Sequence, residues 1–164
     1  MTIASRLVIV CIFAFIFGVT MVDAQSFGRS ELIKASSMLE SDPLGDNAKA
    51  IRGLAVRYVI ETSDVSVVVC GGEIMAPLLD KKNKNSTELI GQYTIGMAAF
   101  KLQNPENKDE NAAQQAGIES ALKAYESILQ KKPKTKHAGM DDLVAKRNSG
   151  ELAELVAKAN CGKK

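Results

Sequence analysis

The chain has 164 residues, 46% of them hydrophobic, and its 21 basic and 19 acidic side chains leave a formal charge of +2. That near-balance removes any general attraction to nucleic acid. The absence of Trp and the low aromatic content, 5% of residues, argue against a surface that stacks on sugars or bases.

At the N-terminus Arg6 precedes the apolar run LVIVCIFAFIF, from Leu7 to Phe17, which Gly18 breaks. Val22-Asp23-Ala24 then supplies the small residue a signal peptidase requires, so residues 1–24 are expected to be a cleaved signal peptide. The apolar stretch is shorter than the ~20 residues that span a bilayer, and no stable membrane anchor is expected. The implied location is secreted or periplasmic, with residues 25–164 forming a single all-α domain. Cys11 leaves with the signal peptide. Cys70 and Cys161 remain in an oxidising compartment and are expected to form a disulfide.

In chain order, Ser30 opens a helix whose Leu32, Ile33, Ser36 and Leu39 share a face and which stops near Pro43 and Gly45. Asp46 or Asn47 caps AKAIRGLAVRYVIE, where Ile51, Leu54, Ala55, Tyr58 and Val59 form an apolar stripe. The stretch DVSVVVCGGEIMAP reads in isolation as a strand ending at Cys70. No other segment alternates in a way that would pair with it, and a lone strand leaves its backbone groups unsatisfied. A short helix capped by Ser63 or Asp64, with Val65, Val68, Val69 and Gly72 on one face, is therefore expected. Gly71-Gly72 and Pro77 predict a bend before PLLDKK.

Ser86 or Thr87 caps ELIGQYTIGMAAFKLQ, and Asp109 opens the longest helix, ended by Pro133. This last helix carries a large stripe, Ile118, Leu122, Tyr125 and Leu129, beside a small one, Ala113, Gly117, Ser120 and Ala124. It should sit centrally, with a neighbour close on the small side. Helices around Met140 to Arg147 and Glu151 to Ala159 follow, completing a compact bundle of about six helices. At QYTIGMAAF and ALKAYESIL the chain resembles a group of uncharacterised secreted helical proteins of bacteria. The likeness runs from about Asp64 to Arg147 and implies export and helicity, without a catalytic motif to transfer.

Chemistry-bearing motifs are sparse. His137 is the lone histidine and reads as a solvated loop residue, and no zinc set surrounds it. No catalytic residue, metal or cofactor is expected. Cys70 beside two glycines is the one suggestive nucleophile, but a catalytic thiolate must stay unpaired. Asn85-Ser86-Thr87 fits a glycosylation sequon, and Asp141-Asp142 reads as first-turn charge. One constellation points to binding. The helices 88–103 and 110–130, joined by a short loop, should pack antiparallel, bringing Lys81, Lys82 and Lys84 beside Lys131, Lys132, Lys134 and Lys136. Glu106, Asp109 and Glu110 lie at the other end. The expected function is a secreted or periplasmic interaction module, with an anionic envelope component or an acidic protein as partner and no nucleic acid expected. The alternative is a small exported enzyme, hydrolase-like or thiol-dependent, whose residues meet only in the fold.

Overall fold

The computed structural model describes residues 27–159 and Cys161; the predicted signal peptide lies outside these residues. Seven α-helices and no strand occur among the described residues: α1 Arg29–Ser41, α2 Ala48–Glu61, α3 Ala76–Leu79, α4 Ser86–Gln103, α5 Glu110–Lys131, α6 Ala138–Ser149 and α7 Leu152–Ala159. A 3-10 turn, Pro133–Thr135, links α5 to α6.

The antiparallel pair α4 and α5 forms the centre. On α5 both predicted stripes are buried, with Leu129 half-buried at the end of the large one. The small stripe permits the close approach: a Cβ at Gly117 would stand 2.5 Å from Met97 Cγ and 2.8 Å from the Tyr93 carbonyl oxygen, and one at Gly96 would stand 2.5 Å from Ser120 Cβ. Helix α4 is apolar on most of its circumference because it separates two clusters. Leu89, Tyr93 and Met97 pack with Ile118, Leu122, Tyr125, α6 and α7. Ile95, Ala98, Ala99 and Leu102 pack with α1 and α2.

Polar groups fasten the layers. Gln92 Nε2, buried on α4, donates to the Ser36 carbonyl of α1 at 3.0 Å and to Ser120 Oγ of α5 at 2.7 Å. Ser120 in turn donates to Glu40, and Ser127 donates to the Glu40 carbonyl, both at 2.7 Å.

Helix α2 keeps most of its expected stripe, with Ala55 and Val59 buried and Ile51 and Tyr58 half-buried against the second cluster, but Leu54 is turned out. Its buried residues are Ala48, Arg52, Ala55 and Val59, while Leu54 is 47% exposed. Leu54 is displaced because Arg52 reaches inward, donating to the Pro43 carbonyl at 2.7 Å, and its stem lies against Gly91 of α4, where a Cβ would sit 2.8 Å from Arg52 Cδ. Helix α1 starts one residue before Ser30, with Gly28 as N-cap; Ala35 joins its buried face and Ile33 is half-buried against the second cluster.

The expected helix over 65–72 is absent. Residues 65–71 form neither helix nor strand. Val65 is buried and Val67 half-buried, packing against the two clusters, whereas Ser66 and Val68 are exposed. That period of two is the period of an extended chain. The objection that a lone strand starves its backbone is met by helix side chains. Lys101 Nζ donates to the Ser66 carbonyl at 2.8 Å and Gln114 Nε2 to the Val68 carbonyl at 2.5 Å. The Cys70 backbone is hydrogen-bonded to the Tyr93 hydroxyl, which itself donates to Gln114 Oε1. With partners supplied, the preference of β-branched valines for extended backbone prevails.

Candidate functional site

The lysine-bearing end is built on two loops, residues 80–85 and 132–137, that the bundle brings into contact. Loop 80–85 is held by side-chain hydrogen bonds. Asn83 Nδ2 donates to the Pro77 carbonyl at 3.0 Å, its Oδ1 accepts from Asn85 N at 3.1 Å, and Ser86 Oγ donates to the Leu78 carbonyl at 2.5 Å. Asn85, not Ser86 or Thr87, is the N-cap of α4 and is 5% exposed. Its amide is therefore sequestered in the folded chain, so the sequon does not present an acceptor. Pro77 occupies the first turn of α3, where its missing N–H costs nothing.

His137 is not a solvated loop residue. Its side chain is 11% exposed; Nδ1 accepts from Met140 N at 3.4 Å, capping α6, and Nε2 stands 3.1 Å from Asp80 Oδ2. Asp80 also accepts from Lys82 N at 2.9 Å. These contacts, the backbone N–H of Lys82 first and His137 second, hold the Asp80 carboxyl below its ordinary pKa. The two lysine-bearing loops are thus joined through one carboxylate.

Tyr125 anchors the second loop from beneath. Its hydroxyl accepts from His137 N at 2.8 Å and donates to Asp141 Oδ1 at 2.9 Å. Burial raises its pKa to about 12, with the neighbouring Asp141 pushing in the same direction. Tyr125→Phe should lower unfolding stability by ~1 to 2 kcal/mol, since the His137 N–H and Asp141 each lose a partner. Urea denaturation of the two proteins measures this, and equal midpoints would contradict the anchoring role.

All seven predicted lysines are exposed. Lys131 pairs with Asp42 at 2.6 Å and Lys136 with Asp141 at 3.6 Å. Lys81, Lys82, Lys84, Lys132 and Lys134 form no ion pair among the described residues, although Lys82 lies within the field of the Asp80 carboxylate. They project from loops tied together, so their charges share one end of the molecule. Asp141 and Asp142 diverge as expected, the latter pairing with Lys146 at 3.6 Å. Helix α6 is held on α5 by the Arg147 fork on Glu126, with bonds of 2.9 and 2.7 Å, and ends at Gly150, whose φ of 84° a side chain would resist.

The opposite end has no such surplus. Asp109 caps α5 by accepting from Asn111 N at 2.9 Å, Glu110 is paired with Lys101, and Glu106 is exposed. An open cleft of about 320 Å³ there is lined by Arg29, Asp64, Lys101, Lys108 and Glu110 among others. Its charges are of both signs and mostly engaged: Asp64 accepts from Tyr58, and Lys108 donates to the Pro105 carbonyl.

Cys70 and Cys161 are paired, with Cα atoms 5.6 Å apart, the separation a disulfide requires. Cys70 is therefore not available as a nucleophile while the pair is intact. Among the described residues no group of three or more His, Cys, Asp or Glu side chains is arranged to hold a metal ion, and no helix is long and apolar enough to cross a membrane. No protein-family model matches the chain, and neither the curated proteins nor the solved structures yielded a match.

The sequence located the lysines but missed what joins them. Nothing in the spacing of Asp80 and His137, 57 positions apart, links the two. The available signal was local: a residue with a hydrogen-bond acceptor directly before AGMDDLV sits where an N-cap belongs.

Proposed function

We propose that the protein is an exported, non-catalytic helical binding module, secreted or periplasmic, whose lysine-bearing end holds an anionic component of the cell envelope. The observation that carries this reading is the fastening of loops 80–85 and 132–137 at Asp80 and His137. It presents Lys81, Lys82, Lys84, Lys132 and Lys134 from a prearranged scaffold, so less conformational entropy is lost on binding than with free loops. Export is supported by the leader pattern of residues 1–24 and by the pairing of the two cysteines outside it. A compact anion recognised through lysine ammonium groups alone would be held by field strength, not by the bidentate geometry that arginine provides. The binding is therefore of the electrostatic, salt-sensitive kind.

Co-sedimentation of the protein with anionic phospholipid vesicles and with an envelope fraction tests the reading. Changing Lys81, Lys82, Lys132 and Lys134 together to Gln should weaken binding by about tenfold or more while the unfolding midpoint stays within ~0.5 kcal/mol of wild type, because exposed charges contribute little to stability. Salt should weaken the wild-type complex, since exposed charges act over only ~8 Å at physiological ionic strength. Capture of an acidic protein in place of lipid or polymer would replace the partner class and keep the surface. Binding indifferent to both salt and the four substitutions would remove this end as the site.

A further inference from the structure

A cleft of about 220 Å³ lies on the surface where α1, α4 and α5 meet, and it shares no residue with the lysine loops. Gly96 and Ser120 line it, drawn together so closely that a Cβ on Gly96 would stand 2.5 Å from Ser120 Cβ. Ser120 is 3% exposed. Its hydroxyl accepts from Gln92 Nε2 and donates to Glu40 Oε1, both at 2.7 Å, and Glu40 Oε2 stands 3.2 Å from Lys123 Nζ. The polar lining is thus fixed by the same bonds that hold the three helices together.

Two groups of that lining are left over. Ser36 is 5% exposed, yet its hydroxyl makes no hydrogen bond among the described residues; it is not sealed in, and the surface it keeps is on the cleft that Ser36 lines. A polar group so nearly buried ordinarily has a partner, from the protein or from outside it. Glu119 accepts from Gln115 Nε2 at 2.9 Å through one carboxylate oxygen. It forms no ion pair among the described residues, although it lies within the field of Arg147, whose own fork is taken by Glu126. Of the three charged residues lining the cleft, Glu40 is matched by Lys123 and Glu119 is left, so the cleft carries one net negative charge.

We propose that this cleft binds a small cationic, hydroxylated ligand, a single amino-sugar ring with a protonated amine, whose ammonium faces Glu119 and whose hydroxyls bond Ser36 and Glu40. A neutral sugar would leave Glu119 uncompensated, and a plain alkylamine would leave the Ser36 hydroxyl unbonded; a ring that carries both groups answers both. The volume lies below the ~300 to 1,000 Å³ of drug-sized sites, which suits one ring and not a chain of them. Phe100 and Ile33 supply an apolar wall for the C–H face of the ring. Selection rests on charge and hydrogen bonds, so the absence of Trp is no obstacle. An anion is repelled here by Glu119, so this site differs in ligand from the lysine end and does not depend on it.

NMR titration of the natively produced, disulfide-bonded protein with glucosamine, at about pH 6 where such an amine is protonated, reads the cleft directly. The amides of Ser36, Gly96, Glu119 and Ser120 should shift saturably, with a Kd on the order of 1 mM for so small a ligand. N-acetylglucosamine keeps the ring and its hydroxyls but has no ammonium, and it should bind weaker by about tenfold or more. Glu119→Gln should weaken glucosamine binding by about tenfold and Ser36→Ala by about fivefold. Neither change removes a bond that holds the fold, since the Ser36 hydroxyl has none and Glu119 bonds Gln115 on its own helix, so both variants should keep the wild-type unfolding midpoint. Three results overturn the proposal: no saturable shift at these amides at glucosamine concentrations well above that Kd, equal affinity for the two sugars, or wild-type affinity in either variant.

Discussion

Gly117→Leu should be the most damaging single substitution in the helical core, lowering unfolding stability by ~3 kcal/mol or more, the upper end of what overpacking costs. At Gly117 the α5 backbone lies so close to α4 that even a methyl group would stand 2.5 Å from Met97 Cγ and 2.8 Å from the Tyr93 carbonyl oxygen. Met97 is flexible and can yield. The carbonyl belongs to the α4 backbone and cannot move without separating the helices. Separation would also stretch the Gln92–Ser120 bond of 2.7 Å and open both apolar clusters, since α4 divides them. The comparison is Lys123→Leu, on the exposed side of the same helix, where the lost Glu40 pair at 3.2 Å contributes little and the change should stay well below ~1 kcal/mol. Urea unfolding of the two variants decides it. Coincident midpoints would mean that α4 and α5 are not locked by their small residues.

Helix α5 was the most legible part of the chain because its two stripes, large and small, are physically different surfaces, and the sequence shows both at helical spacing. Helix α4 was legible as a helix but not as a divider. Its apolar residues cover nearly the whole circumference, and a pattern without a polar face cannot say which side meets which neighbour. Helix α2 was legible except at Arg52 and Leu54, for a related reason. The apolar stripe of the sequence runs through Leu54 and leaves Arg52 out. In the fold Arg52 is buried by a carbonyl acceptor at Pro43, nine residues away, and by the space at Gly91 on another helix. Burial also lowers the Arg52 pKa, with Glu88 acting against that shift. Neither partner can be found from periodicity.

Residues 65–70 carry the same lesson in sharper form. Propensity favoured an extended chain there, and the absence of a pairing strand argued against it. The inference failed because hydrogen-bond partners need not be backbone. Lys101, Gln114 and Tyr93 sit on helices whose polar residues looked like ordinary solvated or core positions, and each serves the segment from a distance of more than twenty residues. The same limitation hid the joining of the lysine loops. Seven lysines could be assigned to one end from helix pairing alone, but the Asp80–His137 contact that turns two loops into one platform is a product of how α3 meets α6.

Loss of the Cys70–Cys161 bond should have the largest effect of all, destabilising the fold by up to ~4 to 5 kcal/mol, since the bond closes a loop of about 90 residues in the unfolded chain. The chain-entropy figure is an upper one, and two features of the structure argue that most of it is realised. Cys70 lies on a segment already held by Lys101, Gln114 and Tyr93, so the bond's anchor is fixed in the native state. Its other end fastens α7, whose Leu152 and Val156 are buried against the main cluster although the helix has only eight residues. A helix that short is not stable alone and depends on docking. Cys161→Ser should therefore shift the urea midpoint far below that of wild type, and reduction of the wild-type protein should reproduce the shift. The change should include a local component. The amides of α7 should exchange faster in Cys161→Ser than those of α5 at the same denaturant concentration, because α7 loses its covalent tie while the α4–α5 pair keeps its own contacts. Uniform loosening of α5 and α7 would show that the bond acts on the unfolded chain alone. An unchanged midpoint would show that the bond contributes nothing to stability.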